Sequence, residues 1–173
     1  MVFEAEMAGR DMTINPVTLN GDGDDRFAPF GTCFRLVPAV GRIEVPLQFE
    51  GDKAVGTSTL TIIVAPFVGS MMGGIRRIER HPFSVQAFLP LDAQPVVTFV
   101  APPGEPPHHV EQITAFVVPP GHGIAYRAGT WHSGLMGLEA DVNVATFIRR
   151  IADGSDTEFA ELPFNLDLTE GTR

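Results

Sequence analysis

Glu79, His81 and Gln86 fall within Ile78-Glu79-Arg80-His81-Pro82-Phe83-Ser84-Val85-Gln86, and His132 closes a second segment, Tyr126-Arg127-Ala128-Gly129-Thr130-Trp131-His132. These residue types move protons and bind cations: imidazole titrates near neutrality, and a carboxylate or amide oxygen completes a ligand set. Strand side chains two apart share a face, so Glu79 and His81 present together if a strand ends there. Pro82 favours a turn, which lets the chain reverse and return Gln86 at the start of the next strand. His132 then supplies a fourth group from a distant strand. Arg80 alternates away from this face and is expected in a salt bridge.

The elements that must position these groups read as short strands. Apolar or β-branched runs cover 58–65, 75–81, 84–89, 95–101, 112–118, 123–127 and 142–149, each of strand length. Turn chemistry separates them, at 66–74, Asp92, Pro102-Pro103-Gly104, Pro119-Pro120-Gly121 and 134–137. This pattern predicts an all-β barrel or sandwich. Short helices are expected near 15–30 and 155–162, and the tail after Phe164 reads as partly loose. Asn20 to Asp25 has the acidic look of a calcium loop. Counted from Asp22, however, its sixth and twelfth places hold Phe27 and Cys33, so it is taken as a turn.

The chain has 173 residues, which suits a single domain over 1–173, and a formal net charge of -9. Such a polyanion repels nucleic acid and anionic membrane, so a small-molecule partner is expected. With one cysteine, Cys33, no intramolecular disulfide forms, and Cys33 is read as packing. No signal segment and no run of about 20 apolar residues is evident, which makes the cytosol the expected location. His108, His109 and His122 sit in Pro- and Gly-rich loops and are expected to be solvent-exposed.

Glu79-x-His81-x4-Gln86 has the spacing of the first cupin metal motif, and Pro119-Pro120-Gly121 leading to His132 resembles the second. The residues Ile78 to Pro82, Gln86-Ala87-Phe88-Leu89-Pro90-Leu91, Ala115-Phe116, Gly121-x-Gly123, Tyr126 and Gly129-x-Trp131-His132 together resemble the ureidoglycolate lyase family over about 58–150. The resemblance implies a cupin-like jelly-roll β-barrel with a few short helices, a homodimer, and a place in allantoin catabolism. Its implied reaction is cleavage of (S)-ureidoglycolate to glyoxylate and urea. His81, His132, Glu79 and Tyr126 are then the catalytic candidates, and Gln86, Trp131 and Phe88 the substrate-binding ones. Glu79, His81, Gln86 and His132 form a ligand set permissive of nickel, manganese or zinc, which need not be occupied. The chain departs from the family pattern at Ser133-Gly134, so a carboxylate clamp is sought in Lys53 or the Arg149-Arg150 pair. The alternatives are a related enzyme acting on another small hydroxy- or ureido-acid, and a non-catalytic small-molecule-binding cupin.

Overall fold

The structure, a computed structural model, describes residues 10–37, 41–42, 44–47, 56–71 and 73–169. Its strands are β1 (Asp11–Ile14), β2 (Val17–Thr18), β3 (Gly31–Arg35), β4 (Thr57–Ala65), β5 (Ile75–Arg80), β6 (Gln86–Pro90), β7 (Val96–Ala101), β8 (Thr114–Val118), β9 (His122–Tyr126), β10 (Trp131–His132), β11 (Met136–Gly137), β12 (Val142–Arg150) and β13 (Glu158–Leu168). The helical content among the described residues is two 3-10 turns, Val68–Ser70 and Val110–Gln112. The fold is all-β and cupin-like, and the seven apolar runs correspond to β4, β5, β6, β7, β8, β9 and β12.

Two sheets form. The larger runs β1-β13-β5-β10-β7-β8-β2, with β11 beside β7, and the smaller runs β3-β9-β6-β12-β4. β1 and β2 are consecutive in the chain, yet they pair with opposite edges of the large sheet, β13 and β8. Asn15-Pro16 therefore straps one edge to the other and closes the sheet around a core. Val97, Phe99, Ala115, Val117, Trp131, Leu162, Phe164, Leu166 and Leu168 fill that core. Between the two sheets lies a second core, built from Phe27, Cys33, Phe88, Val96, Val100, Phe116, Ile124, Tyr126, Val142 and Val144. Cys33 is buried there and its thiol is pushed up to about 11, by desolvation first and then by Asp22 and Asp24. It packs and does not act as a nucleophile.

Three local expectations fail for identifiable reasons. Residues 15–30 form β2 and a run of turns rather than a helix, with Phe27 N–H donating to Asp24 O at 2.9 Å and Phe30 N–H to Phe27 O at 2.9 Å. Asp24 accepts from Asn20 N–H and from Arg26, which makes this acidic segment a turn rather than a cation loop. The expected helix at 155–162 and the tail as far as Leu168 are instead a turn followed by β13, where Leu162, Phe164, Leu166 and Leu168 are buried in strict alternation, while residues 170–173 of the tail lie outside the described residues. Pro163 hides that period, and it falls where the β13–β5 register shifts between Glu161 and Leu166. Because Phe164 is fully buried, Phe164→Ala is expected to cost about 3–5 kcal/mol, read as a lowered midpoint of chemical denaturation.

Candidate active site

Glu79 and His132 face each other across the β5–β10 ladder, so both side chains leave the same side of the large sheet, toward the small one. β5 ends at Arg80, and Pro82 to Val85 carry the chain across to the small sheet. The turn therefore changes sheets instead of folding a hairpin, and Gln86 enters the site from the facing wall. Gln86 Oε1 lies 2.9 Å from His132 Nε2. Glu79 Oε1 lies 3.7 Å from His81 Nε2 and 3.6 Å from His132 Nε2. The two imidazole centroids are 5.5 Å apart, so the distant segments do meet.

Each ring is fixed from behind by a backbone carbonyl. His81 Nδ1 donates to Asp156 O at 2.8 Å, and His132 Nδ1 donates to Thr130 O at 2.9 Å. Both Nε2 atoms consequently point at Glu79. Gly129, at φ +80, shapes the turn that delivers Thr130 and His132, and its N–H donates to His81 O at 2.8 Å. His81 Nε2 is buried without a hydrogen-bond partner, which leaves its lone pair free. His132 Nε2 faces the Gln86 amide oxygen, an acceptor, so this geometry fits a proton on that nitrogen. Desolvation pushes the Glu79 carboxyl up, but its contacts with His132 and then His81 outweigh this and hold it well below its ordinary 4.5. Glu79 is ionised at neutral pH.

The remaining predicted residues separate by face. Phe88 lies inward, 6.4 Å from the His132 ring and 5.5 Å from that of Tyr126. Tyr126 stacks flat on His132 at 4.2 Å, and its hydroxyl hydrogen-bonds Thr98 Oγ1 at 2.7 Å. Burial raises the phenol further from its ordinary 10.0, against the Thr98 bond, and with its hydroxyl on Thr98 the Tyr126 ring packs as a wall beside His132. Trp131 departs from its expected role as a substrate contact. Next to His132 in β10, it points to the opposite side of the sheet, into the core with Phe99 and Phe164. Its Nε1–H donates to Gly104 O at 3.0 Å. Arg80 shares that outer face, over Trp131 at 4.5 Å, and pairs with Glu158 at 2.6 Å as expected.

His108 and His109 are exposed, but His122 is half-buried, its Nδ1 donating to Pro120 O at 3.1 Å. Lys53 lies outside the described residues. The loop residues Asp156 and Thr157, which hold His81, fall within the helix expected at 155–162, and a carbonyl has no residue signature. A cleft of about 440 Å³ opens nearby between Gly31, Thr32, Pro46, Val85, Arg127 and Ala128. Its lining includes Tyr126 but neither His81, His132 nor Glu79.

That cluster fits a divalent cation. Ligand atoms of Glu79, His81 and His132 all lie within 4.8 Å of one another, and the separations from Glu79 are those left by donors about 2.0–2.2 Å from a shared ion. Of these donors, His81 Nε2 is buried without a hydrogen-bond partner.

A family model described as ureidoglycolate lyase matches residues 12–168, extending beyond 58–150 on both sides. A Burkholderia mallei protein named ureidoglycolate lyase is 35% identical over 173 residues, covering 93% of this chain and 95% of its own. An Azotobacter vinelandii protein of the same name is 35% identical over 120 residues, 69% of this chain and 68% of its own. A third, from Brucella ovis, is 28% identical over 175 residues, with 92% and 96% covered.

Since the folded Glu79 pKa lies below the ordinary value, its ionised form stabilises the fold fully above about pH 4.5, and that stabilisation fades as pH falls. Wild type is expected to exceed Glu79→Gln by on the order of 1–3 kcal/mol near neutrality. Urea titrations repeated down to pH 3 should show the gap narrowing. A gap that stays constant with pH would contradict the ionised assignment.

Proposed function

This chain belongs to the ureidoglycolate lyase family, and from that membership we propose that its cluster cleaves (S)-ureidoglycolate to glyoxylate and urea in allantoin catabolism. The observation that carries the reading is the placement of one carboxylate, Glu79, almost equidistant from two inward imidazole nitrogens. His81 Nε2, unpartnered, takes the proton of the substrate hydroxyl. The C–O bond becomes the glyoxylate carbonyl, the C–N bond breaks, and His132 Nε2–H protonates the departing urea nitrogen. The positive charge thus moves from His132 to His81 while Glu79 neutralises whichever ring carries it. Gln86 Oε1 holds the His132 proton until transfer, and Tyr126 and Phe88 fix that ring from its sides.

Alternatively, a manganese, nickel or zinc ion held by His81 and His132 Nε2, Glu79 and Gln86 Oε1 would take up both imidazole lone pairs and would supply Lewis-acid polarisation of the substrate hydroxyl and carboxylate in place of the two imidazole proton transfers. Elemental analysis of purified protein, compared with His81→Ala, reads that occupancy independently of activity.

Two further expectations enter the proposal. A cytosolic location is supported by the single, buried Cys33, and no helix among the described residues is long and apolar enough to cross a membrane. A homodimer is supported by β4, the outer strand of the small sheet. It runs Thr-Ser-Thr-Leu-Thr-Ile-Ile-Val-Ala without a charge, and leaves Leu60, Ile62 and Val64 59–65% exposed. An apolar outer strand of nine residues needs cover, and two copies of a chain at -9 associate most readily along an uncharged strip.

Purified protein is expected to release glyoxylate from (S)-ureidoglycolate above the spontaneous rate, and His81→Gln and His132→Gln each to lower kcat about 10²–10⁴-fold. Folded wild type that gives no release above background rejects the assignment. Light scattering should give twice the 18.7 kDa chain mass, falling to one chain in Ile62→Lys. A wild-type monomer at micromolar concentration would remove the dimer.

A further inference from the structure

The catalytic cluster is short of one thing its reaction needs. The proposed substrate carries a carboxylate, to which Glu79 offers only acceptor oxygens. A guanidinium within reach of the cluster would hold that carboxylate in two parallel hydrogen bonds. Strand register identifies it. On β12 the inward face carries Val144, Thr146 and Ile148, and Ile148 lies opposite Gln86 in the β12–β6 ladder. The next inward position is Arg150, about 6.6 Å further along the strand at 3.3 Å per residue.

Its neighbour Arg149 falls on the outer face with Phe147 and Ala145, away from the cluster. Arg150 Nη1 lies 3.5 Å from Thr157 Oγ1, which in turn lies 3.3 Å from His81 Nδ1. The guanidinium is therefore placed one hydroxyl away from a catalytic ring. Elsewhere Arg26, Arg35, Arg76 and Arg80 each have a carboxylate partner. Arg150 has none among the described residues, and its side chain is exposed. Arg127 follows inward-facing Tyr126 and so points outward.

We propose that Arg150 is the carboxylate anchor of this site, gripping the substrate acid with its planar fork and setting the carbinol toward His81 and His132 Nε2. This rests on the reading that the site takes a short carboxylic acid. Two parallel N–H donors match a carboxylate, and a local positive charge admits an anion to a chain that is acidic overall. Arg150 thereby takes the role sought in the Arg149-Arg150 pair, and strand parity assigns it to one member alone.

The test uses full-length protein with two readouts. In steady-state assays with (S)-ureidoglycolate, Arg150→Met should raise KM about ten- to hundredfold with kcat changed far less. Arg150→Lys should recover part of the loss, and Arg149→Met should leave KM unchanged. Calorimetric titration with glyoxylate, which keeps the carboxylate but needs no turnover, should show binding to wild type weakened by a similar factor in Arg150→Met. If wild type binds glyoxylate through Arg150 but releases none from ureidoglycolate, the anchor stands and the lyase reading fails. If Arg150→Met binds glyoxylate and substrate as wild type does, or wild type binds neither, the anchor is overturned.

Discussion

Two backbone carbonyls, those of Asp156 and Thr130, decide what this site is. Each accepts the Nδ1 proton of one histidine, and so each leaves one ring nitrogen for chemistry. Without those contacts each ring has two competing tautomers, and neither Nε2 is committed to Glu79. With them, the carboxylate meets two Nε2 atoms at nearly equal distance, a geometry suited to passing a charge between rings or to holding a cation. The carbonyls belong to a β12–β13 loop and a β9–β10 turn, so loop backbone rather than side-chain identity sets the reactive atoms.

The large sheet is a partition. On its inner side stand Glu79 and His132; on its outer side, one residue along in each strand, stand Arg80 and Trp131. Strand alternation keeps the Arg80–Glu158 pair away from the cluster, where an extra cation would compete for Glu79. Apolar cores on both sides of β7 hold that partition in place, Val96 and Val100 packing one way and Val97 and Phe99 the other. The polar site is thus mounted on strands that dense packing keeps from shifting.

The sequence carried the site more completely than the fold. Glu79, His81, Gln86 and His132 meet as their spacing implied, because β5 ends where Pro82 stops it and His132 follows a glycine turn. Seven strands were legible as apolar runs. β10 and β11, two residues each, are too short to leave a period, and β13 was masked by Pro163 at its irregular pairing. The error over Trp131 came from weighing residue type above parity: an aromatic beside a site histidine in a strand must face the other way. Arg150 was narrowed only to a pair, since choosing between adjacent residues needs the register of β12 against β6. Asp156 acts through its main chain, which no side-chain reading could register.

The strap of β1 and β2 has a consequence for how the molecule is made. Asp11 pairs with Asn165 and Ile14 with Leu168, so β1 waits for a partner that lies 154 residues further along the chain. Contacts this distant in sequence form slowly, and sheet closure becomes the final long-range event open to the nascent chain. Until then β1 lies unpaired, although β2 can already join β8. A chain without β13 keeps every proposed catalytic side chain yet leaves β1 and one side of β5 without a neighbour.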